Sequence, residues 1–348
     1  MIQVATGAVG THSLRTIIGR SDMELAGLFV FSSEKAGKDA GELIGATPIG
    51  VRATDDFDEI LAIDADAVSF NPLGDTLDPA AALDQICRLL ESGKNVCSTA
   101  LSGLVYPSIM DRHGMKNRLN ASCEKGGVSF YATGINPGFM MEVWPIVLGR
   151  IARQIDTIYM TEMVDMSRYT SEQVLLTLGY GKTPEEMSFE LGFEHTREFA
   201  YFGSIMMIAE AMGLEIDDAT AAWEGFAVDK PIVTPVTKVE PGRVGAVRVR
   251  VRAFSKGQLR IESQMLWMLG KDAAPADWPY GDGAWSIRIE GDPCMETRID
   301  TGTTYDAKQP DVLMTGAHGV NAIPAVVAAR KGVLTHLDLP MFTGTFAR

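Results

Sequence analysis

The pattern of apolar and polar positions changes character once along the chain. Before about residue 145, short apolar runs alternate with amphipathic stretches. Ile2 to Ala5 reads as a short buried strand. Thr6 to Gly10 then turn the chain into a helix that begins near Thr11, with Leu14, Ile17 and Ile18 on one face. Leu25 to Phe31 is a second strand, Asp56 to Leu61 a short helix and Ala67 to Asn71 the next strand. Ala80 to Ser92 is a helix with Ala82, Ile86, Leu89 and Leu90 apolar, ended by Gly93. Strand Asn95 to Ser98, helix Met110 to Gly126 and strand Val128 to Ala132 follow. Strands alternating with helices imply right-handed crossovers and a parallel sheet.

Beyond that point the period shifts. Thr157 to Val164 reads as a strand, and Thr170 to Leu178 and His195 to Met212 as helices. Val244 to Ala253 alternates strictly, with Val247, Val249 and Val251 on one face and Arg248, Arg250 and Arg252 on the other. The arginine row suits a solvated or subunit-contacting face. Leu259 to Leu269 and Trp285 to Glu290 continue as antiparallel strands with one face covered. Asp272 to Gly283 is a loop. Gly316 to Arg330 reads as a helix that Pro324 kinks or restarts. The expected fold class is α/β, a Rossmann-type parallel-sheet domain followed by a second α+β domain on a mostly antiparallel sheet.

The first turn carries chemistry. Ala5-x-Gly7-x-x-Gly10 matches the dinucleotide fingerprint with Ala5 in the first glycine's place. Gly7 lets backbone approach a pyrophosphate, Gly10 lets helix pack on strand, and Thr6, Ala8 and Val9 complete the cradle at a helix N-terminus. The second strand ends Phe31-Ser-Ser-Glu-Lys35, with no carboxylate at its tip. Ser32, Ser33 and Lys35 suit a 2′-phosphate, so NADP is the expected cofactor; Glu34 keeps NAD open. Asn71 and Pro72 follow the strand that ends at Asn71, where open parallel sheets bind ligands. Thr99, Asn136 and Pro137 are further cofactor candidates.

Composition narrows the class. The 348 residues suit two domains, and 46% hydrophobic content with mean hydropathy near zero describes a soluble globular chain. No apolar run reaches the roughly 18 residues of a membrane span, and no signal peptide precedes the first strand. A formal charge of −14 argues against nucleic-acid or anionic-membrane partners. Cys87, Cys97, Cys123 and Cys294 lack metal-ligand spacing, so no metal is expected. Buried free thiols point to the cytoplasm.

Four motifs recur in order over nearly the whole chain: Thr6-Gly-Ala-Val-Gly10, Lys35-Ala-Gly-Lys-Asp-Ala-Gly-Glu-Leu43, Gly134-Ile-Asn-Pro-Gly-Phe139 and Val320-Asn-Ala-Ile-Pro324. Together they resemble the dihydrodipicolinate-reductase-like family that includes 2,4-diaminopentanoate dehydrogenase and the native amine dehydrogenases. The resemblance implies a dinucleotide domain over 1–145, a substrate and oligomerisation domain over 146–310, and a segment, 311–348, returning to the first domain. It implies NAD(P)-dependent interconversion of an amine with an imine or ketone. An interdomain cleft, a small-molecule substrate and a homodimer are the accompanying expectations. The Gly134–Phe139 turn would lie beside nicotinamide and substrate. In the amine dehydrogenases a glutamate follows the strand that corresponds to Asn95–Ser98; here Ser98 to Pro107 contains no acid.

Without that acid the residues offer neutral hydrogen-bonding groups, which suit a carbonyl or neutral substrate. The proton is expected from His318 first, by the usual imidazole pKa, then from Tyr169 or Tyr106. Ser102, Phe139, Glu162 and Asn321 are the substrate candidates. Gly134 and Gly138 are expected to admit the nicotinamide close to the backbone. Two alternatives remain open. One is a cofactor-binding sensor that has lost the chemistry. The other is a 2-hydroxy-acid-type dehydrogenase, for which the sequence shows no convincing Arg and His pair.

Overall fold

Ile2, Gln3 and Val4 form β1 (Ile2–Val4) and have no exposed surface, which requires covered faces on both sides. The computed structural model describes residues 1–74, 78–109, 114–169, 171–281, 283–302 and 310–346. The chain divides into two units, Met1–Phe139 with Val312–Arg348, and Met140–Asp311.

Strands and helices are numbered in chain order. Among the described residues the first unit holds β1, β2 (Gly27–Phe29), β3 (Ala53–Thr54), β4 (Ala67–Phe70), β5 (Asn95–Ser98), β6 (Ser129–Ala132) and, from the end of the chain, β16 (Gly332–Leu334). They pair in the order β16-β6-β5-β4-β1-β2-β3, each pairing parallel. The order reverses between β1 and β4, so the segments that follow these two strands part to opposite sides and leave a crevice at the sheet's C-terminal edge.

The helices are α1 (Ala8–Gly19), α2 (Ala40–Leu43), α3 (Phe57–Ala62), α4 (Pro79–Glu91), α5 (Met115–Gly126) and α11 (Pro310–Ala328). Their ends follow local chemistry. The Asp56 carboxylate accepts from Asp58 and Glu59 N–H to start α3, and Asp78 with Pro79 starts α4. Met110 to His113, the start of the helix expected from Met110, lie outside the described residues. Helix α1 begins at Ala8, ahead of the expected Thr11, because Gly7 serves as its N-cap. Helix α11 runs through Pro324 without a restart and begins six residues before the expected Gly316. Burial of Val320, Ala322, Ile323 and Val326 offsets the hydrogen bond that Pro324 removes. At Gly316 a Cβ would lie 2.9 Å from Ser13 Oγ and from Val9 O, so α11 crosses α1 with no side chain between them.

The second unit is built on β7 (Gln154–Asp165), β8 (Phe189–Leu191), β9 (Asp218–Ala227), β12 (Val244–Ser255), β13 (Gln258–Met268), β14 (Ala284–Asp292) and β15 (Met295–Asp300); β10 (Ile232–Val233) and β11 (Lys238–Val239) form a separate pair. The main sheet runs β15-β14-β7-β13-β12-β9-β8. It is mixed: β7 and β13 are parallel, and the other neighbours antiparallel. The sheet is mostly antiparallel, as expected; the sequence did not single out β7 and β13 as its parallel pair. Alternation along a strand reports burial, not the direction of its neighbour.

Helices α6 (Val143–Gly149), α7 (Glu172–Leu178), α8 (Pro184–Met187), α9 (Phe193–Thr196) and α10 (Phe202–Met212) complete this unit. The helix expected over His195 to Met212 is therefore broken. Short turns such as Phe199 N–H to Thr196 O interrupt it, and Phe199 and Tyr201 pack on Trp223 and Trp267, with ring centroids 6.3 and 6.2 Å apart. Tertiary packing overrides helix propensity there. Along β12 the valines Val247, Val249 and Val251 are fully buried. Arg248 forks onto Glu224 at 2.7 and 2.8 Å, Arg250 shares the same carboxylate at 3.7 Å and Arg252 pairs with Glu262, so two carboxylates of the sheet hold the three arginines.

Candidate functional site

The turn after β1 is shaped by three residues. Ala5, in the first glycine's place, has φ 75°, the left-handed region, at a cost of about 1–2 kcal/mol for an L-residue. Gly7 caps α1 through its backbone alone: no side chain bonds the cap, and no acidic residue lies in the first turn. A Cβ on Gly7 would meet nothing within 4 Å among the described residues. A Cβ on Gly10 would stand 2.3 Å from the Ala5 carbonyl oxygen, so only glycine lets α1 seat on the turn. Open first-turn N–H groups, a positive dipole end and empty space above Gly7 fit a phosphate.

Beside the turn is a cavity of about 310 Å³ at the β1/β4 crevice. Thr6 and Gly7 form one wall, Phe31, Ser32 and Lys35 another, and Asn71, Pro72 and Leu73 a third. Lys35 Nζ donates to Thr6 O at 3.1 Å and to Thr6 Oγ1 at 3.0 Å, which pins the ammonium on the phosphate turn. Ser32 is half-buried, and Ser33 and Glu34 are exposed. Phe31 and Leu73 are 58% and 56% exposed, an unusual outlay of apolar surface that suits a flat heterocycle. His12, early in α1, is held below its usual pKa by desolvation and then by Arg15, so it is neutral at physiological pH.

On the other side of β1 the polar groups are paired. Asn71 Oδ1 accepts from Gln3 Nε2 at 2.8 Å and Ser69 Oγ at 2.9 Å, and its Nδ2 donates to Thr99 Oγ1 at 2.8 Å. The Gly134–Phe139 turn corrects one expectation. A Cβ on Gly138, at φ 140°, would lie 2.2 Å from Gly134 N, and one on Gly134 would lie 2.8 Å from Pro137 O. Both glycines are required by the turn's closure on itself, not by the approach of a ligand. Asn136 and Pro137 are joined by a cis peptide.

The acid candidates sort differently than expected. His318 packs between Phe139 and Phe342, each 5.1 Å between centroids, and near His336 at 6.3 Å. Its Nε2 is enclosed and has no hydrogen-bond partner among the described residues. Burial, with His336 adding to it, pulls its pKa down to about 3. The argument that ranked His318 first, an imidazole titrating near neutrality, therefore fails; the ring is neutral at pH 7. Tyr169 is partly buried, and desolvation with Asp311 nearby raises its pKa, so it remains a phenol able to donate. Tyr106 is buried behind the 3₁₀ turn Ser102–Val105, with Ser102 half-buried at its start.

Two substrate candidates have structural partners. Asn321 Oδ1 accepts from Arg20 Nη1 at 2.7 Å while Arg20 also binds Asp22. Arg20 ends α1, roughly 20 Å along the helix from Gly7. That pairing removes Asn321 from the crevice. Glu162, in the middle of β7, is buried with one oxygen accepting from Trp267 Nε1 at 2.7 Å and the other from Trp285 Nε1 at 2.8 Å. Its indole partners were not foreseen, because they lie 105 and 123 residues away. Gln3 was missed as well, although a polar side chain between Ile2 and Val4 in an otherwise apolar strand is a readable signal. Among the described residues no group of three His, Cys, Asp or Glu side chains is placed to hold a metal, and no helix is long and apolar enough to cross a membrane.

Residues 139–347 match the 2,4-diaminopentanoate dehydrogenase C-terminal domain family. The chain is 30% identical to the amine dehydrogenase of Streptomyces virginiae over 347 residues, 97% of this chain and 94% of that protein. It is 25% identical to the 2,4-diaminopentanoate dehydrogenase of Acetoanaerobium sticklandii over 267 residues, 75% of this chain and 70% of that one. The solved amine dehydrogenase of Mycobacterium smegmatis shares the fold, with a TM-score of 0.77 and 21% identity over 99% of this chain and 97% of that chain.

Proposed function

The chain belongs to the 2,4-diaminopentanoate dehydrogenase family, and on that premise we propose that it is an NAD(P)-dependent dehydrogenase interconverting an amine with its imine or ketone. The observation that carries the cofactor half is the N-terminus of α1 at Gly7, which no side chain caps, beside a cavity with Lys35 on its rim. The similarity to an amine dehydrogenase along 97% of this chain supports the amine half and favours an enzyme over a sensor.

When bound, the nicotinamide dinucleotide exchanges a hydride with the substrate carbon; amine, water and NAD(P)⁺ balance against ketone, ammonia, NAD(P)H and a proton. The turn Thr6–Gly10 holds the pyrophosphate through its N–H groups. Lys35, Ser32 and Ser33 hold a 2′-phosphate, which makes NADPH the preferred form. Phe31 and Leu73 would offer apolar surface to the adenine. Asn71, Pro72, Thr99, Asn136 and Pro137 would serve the nicotinamide half, and Ser102 and Phe139 the substrate. Tyr169 moves the proton: its raised pKa keeps the hydroxyl proton at neutral pH, and a phenol loses little by being neutral in a desolvated site. The buried free thiols Cys87, Cys97 and Cys123 support a reducing compartment, the cytoplasm.

The test is reductive amination. NADPH oxidation is followed with a panel of ketones, with and without ammonium. Turnover that requires ammonium supports the reading. Equal turnover without ammonium makes the protein a carbonyl reductase, and tight NADPH binding with no turnover restores the sensor.

A further inference from the structure

We propose that Gln3 is a positioning residue of the cofactor site: its buried amide fixes the left-handed turn at Ala5 and, through Asn71, sets the Thr99 hydroxyl as a hydrogen-bond donor for the nicotinamide half of the cofactor. The proposal rests on the dinucleotide reading of the β1/β4 crevice given above.

Gln3 sits in the centre of β1 with no exposed surface, between two aliphatic residues. A primary amide is costly there unless it is bonded. Its Nε2 lies 2.8 Å from Ala5 O, 2.8 Å from Asn71 Oδ1 and 3.1 Å from Val4 O. Two N–H protons thus face three acceptors, and the two shorter contacts are Ala5 and Asn71. Reversing the amide would set Oε1 against oxygens, so its orientation is determined. In that orientation Oε1 is buried without a partner among the described residues. Stability alone would favour an apolar side chain at this point.

The bonds have consequences at both ends. Ala5 O is the atom on which Gly10 packs, so the Gln3 N–H holds the peptide that seats α1. Asn71 Oδ1 takes protons from Gln3 and from Ser69, which turns Asn71 Nδ2 toward Thr99 Oγ1. Thr99 Oγ1 therefore accepts from Asn71, and its own proton points elsewhere. The donors run in one direction, Gln3 to Asn71 to Thr99, and each bond polarises the next. Gln3, Ser69 and Asn71 are buried; Thr99, at the C-terminal end of β5, is partly exposed. It is the member of the relay that can meet a ligand, and a hydroxyl with a fixed outward proton selects a carbonyl such as that of the nicotinamide carboxamide.

The experiment measures NADPH dissociation constants by fluorescence, together with KM for NADPH and kcat, for Gln3→Met, Thr99→Val and the double variant. Gln3→Met is expected to weaken binding roughly 10- to 100-fold and Thr99→Val about tenfold, with KM rising more than kcat falls. The double variant is expected to bind little worse than Gln3→Met, because both cut one relay. Gln3→Glu, compared with wild type at each pH, is expected to bind poorly near pH 8 and to recover only in part as the pH falls, because the protonated carboxyl donates one hydrogen bond where the amide donates two. Unchanged affinity in Gln3→Met, or additive losses in the double variant, would overturn the proposal. If Gln3→Met does not fold, Ser69→Ala removes the other donor to Asn71 and is expected to weaken binding a few-fold; no change there overturns it equally. A wild-type chain that binds neither NADPH nor NADH overturns both this inference and the dinucleotide reading, whereas wild-type binding with an unaffected Gln3→Met overturns the inference alone.

Discussion

The parallel and the mixed sheet both bury polar groups, but in different places. In the parallel sheet Gln3, Ser69 and Asn71 send their hydrogen bonds toward the C-terminal edge, where they brace a turn made largely of backbone. In the mixed sheet the buried Glu162 lies mid-strand, and its partners are side chains on other strands. The difference follows from geometry. Parallel strands deliver their chain ends and the N-termini of the following helices to one edge, so backbone N–H groups can do the binding. A mixed sheet presents its side chains face-on, so chemistry there depends on which residues alternation turns inward.

Removing Glu162 breaks the comparison most strongly. Glu162→Leu leaves two buried indole N–H groups without an acceptor, at about 1–3 kcal/mol each. Urea unfolding is expected to show a loss of about 2–6 kcal/mol while the surviving folded protein keeps its NADPH affinity. A parallel drop in cofactor affinity would mean that the two buried polar centres are not independent.

Acid acts next, and on the first unit. Burial holds His318 down to about 3 and His336 down to about 4, both below the unfolded value near 6.5. The unfolded chain then binds more protons than the native one, so this stabilisation is complete above about pH 6.5 and is lost as pH falls through the folded values. Thermal melts from pH 7 down to about pH 4 are expected to fall steeply, and His318→Phe, which keeps a ring packed between Phe139 and Phe342, to flatten the fall. Identical pH profiles would show that other groups carry the acid sensitivity.

Lys35→Ala sharpens the reading of the edge. NADPH binding is expected to weaken by about 1–2 kcal/mol, the scale of a charge-assisted hydrogen bond, with NADH nearly unchanged. Equal losses would place the ammonium on the turn through Thr6 rather than on a 2′-phosphate. Ala5→Gly is the smallest change. It relieves left-handed strain of about 1–2 kcal/mol but adds about 0.5–1 kcal/mol of chain entropy. A slightly higher thermal midpoint is expected; a lower one would mean that Ala5 is not strained.

The sequence by itself determined what is local. Thr6 to Gly10 and the Phe31–Lys35 strand end are contiguous, so their spacing alone locates the turn and the polar rim that the cavity joins. The short buried runs of β4 and β5 and the alternation of β12 were legible because burial acts on one residue at a time. Tertiary structure alone decided what depends on distant neighbours. The parallel pairing of β7 with β13, the break between α9 and α10, and the uninterrupted passage of α11 through Pro324 each rest on packing against segments far along the chain. The same holds for chemistry. Histidine suggested a proton donor by type, yet desolvation by Phe139 and Phe342 keeps His318 neutral, and Glu162 acquired its two indoles from strands over a hundred residues away. A side chain's identity is written in the sequence; its protonation and its partners belong to the medium the fold builds around it.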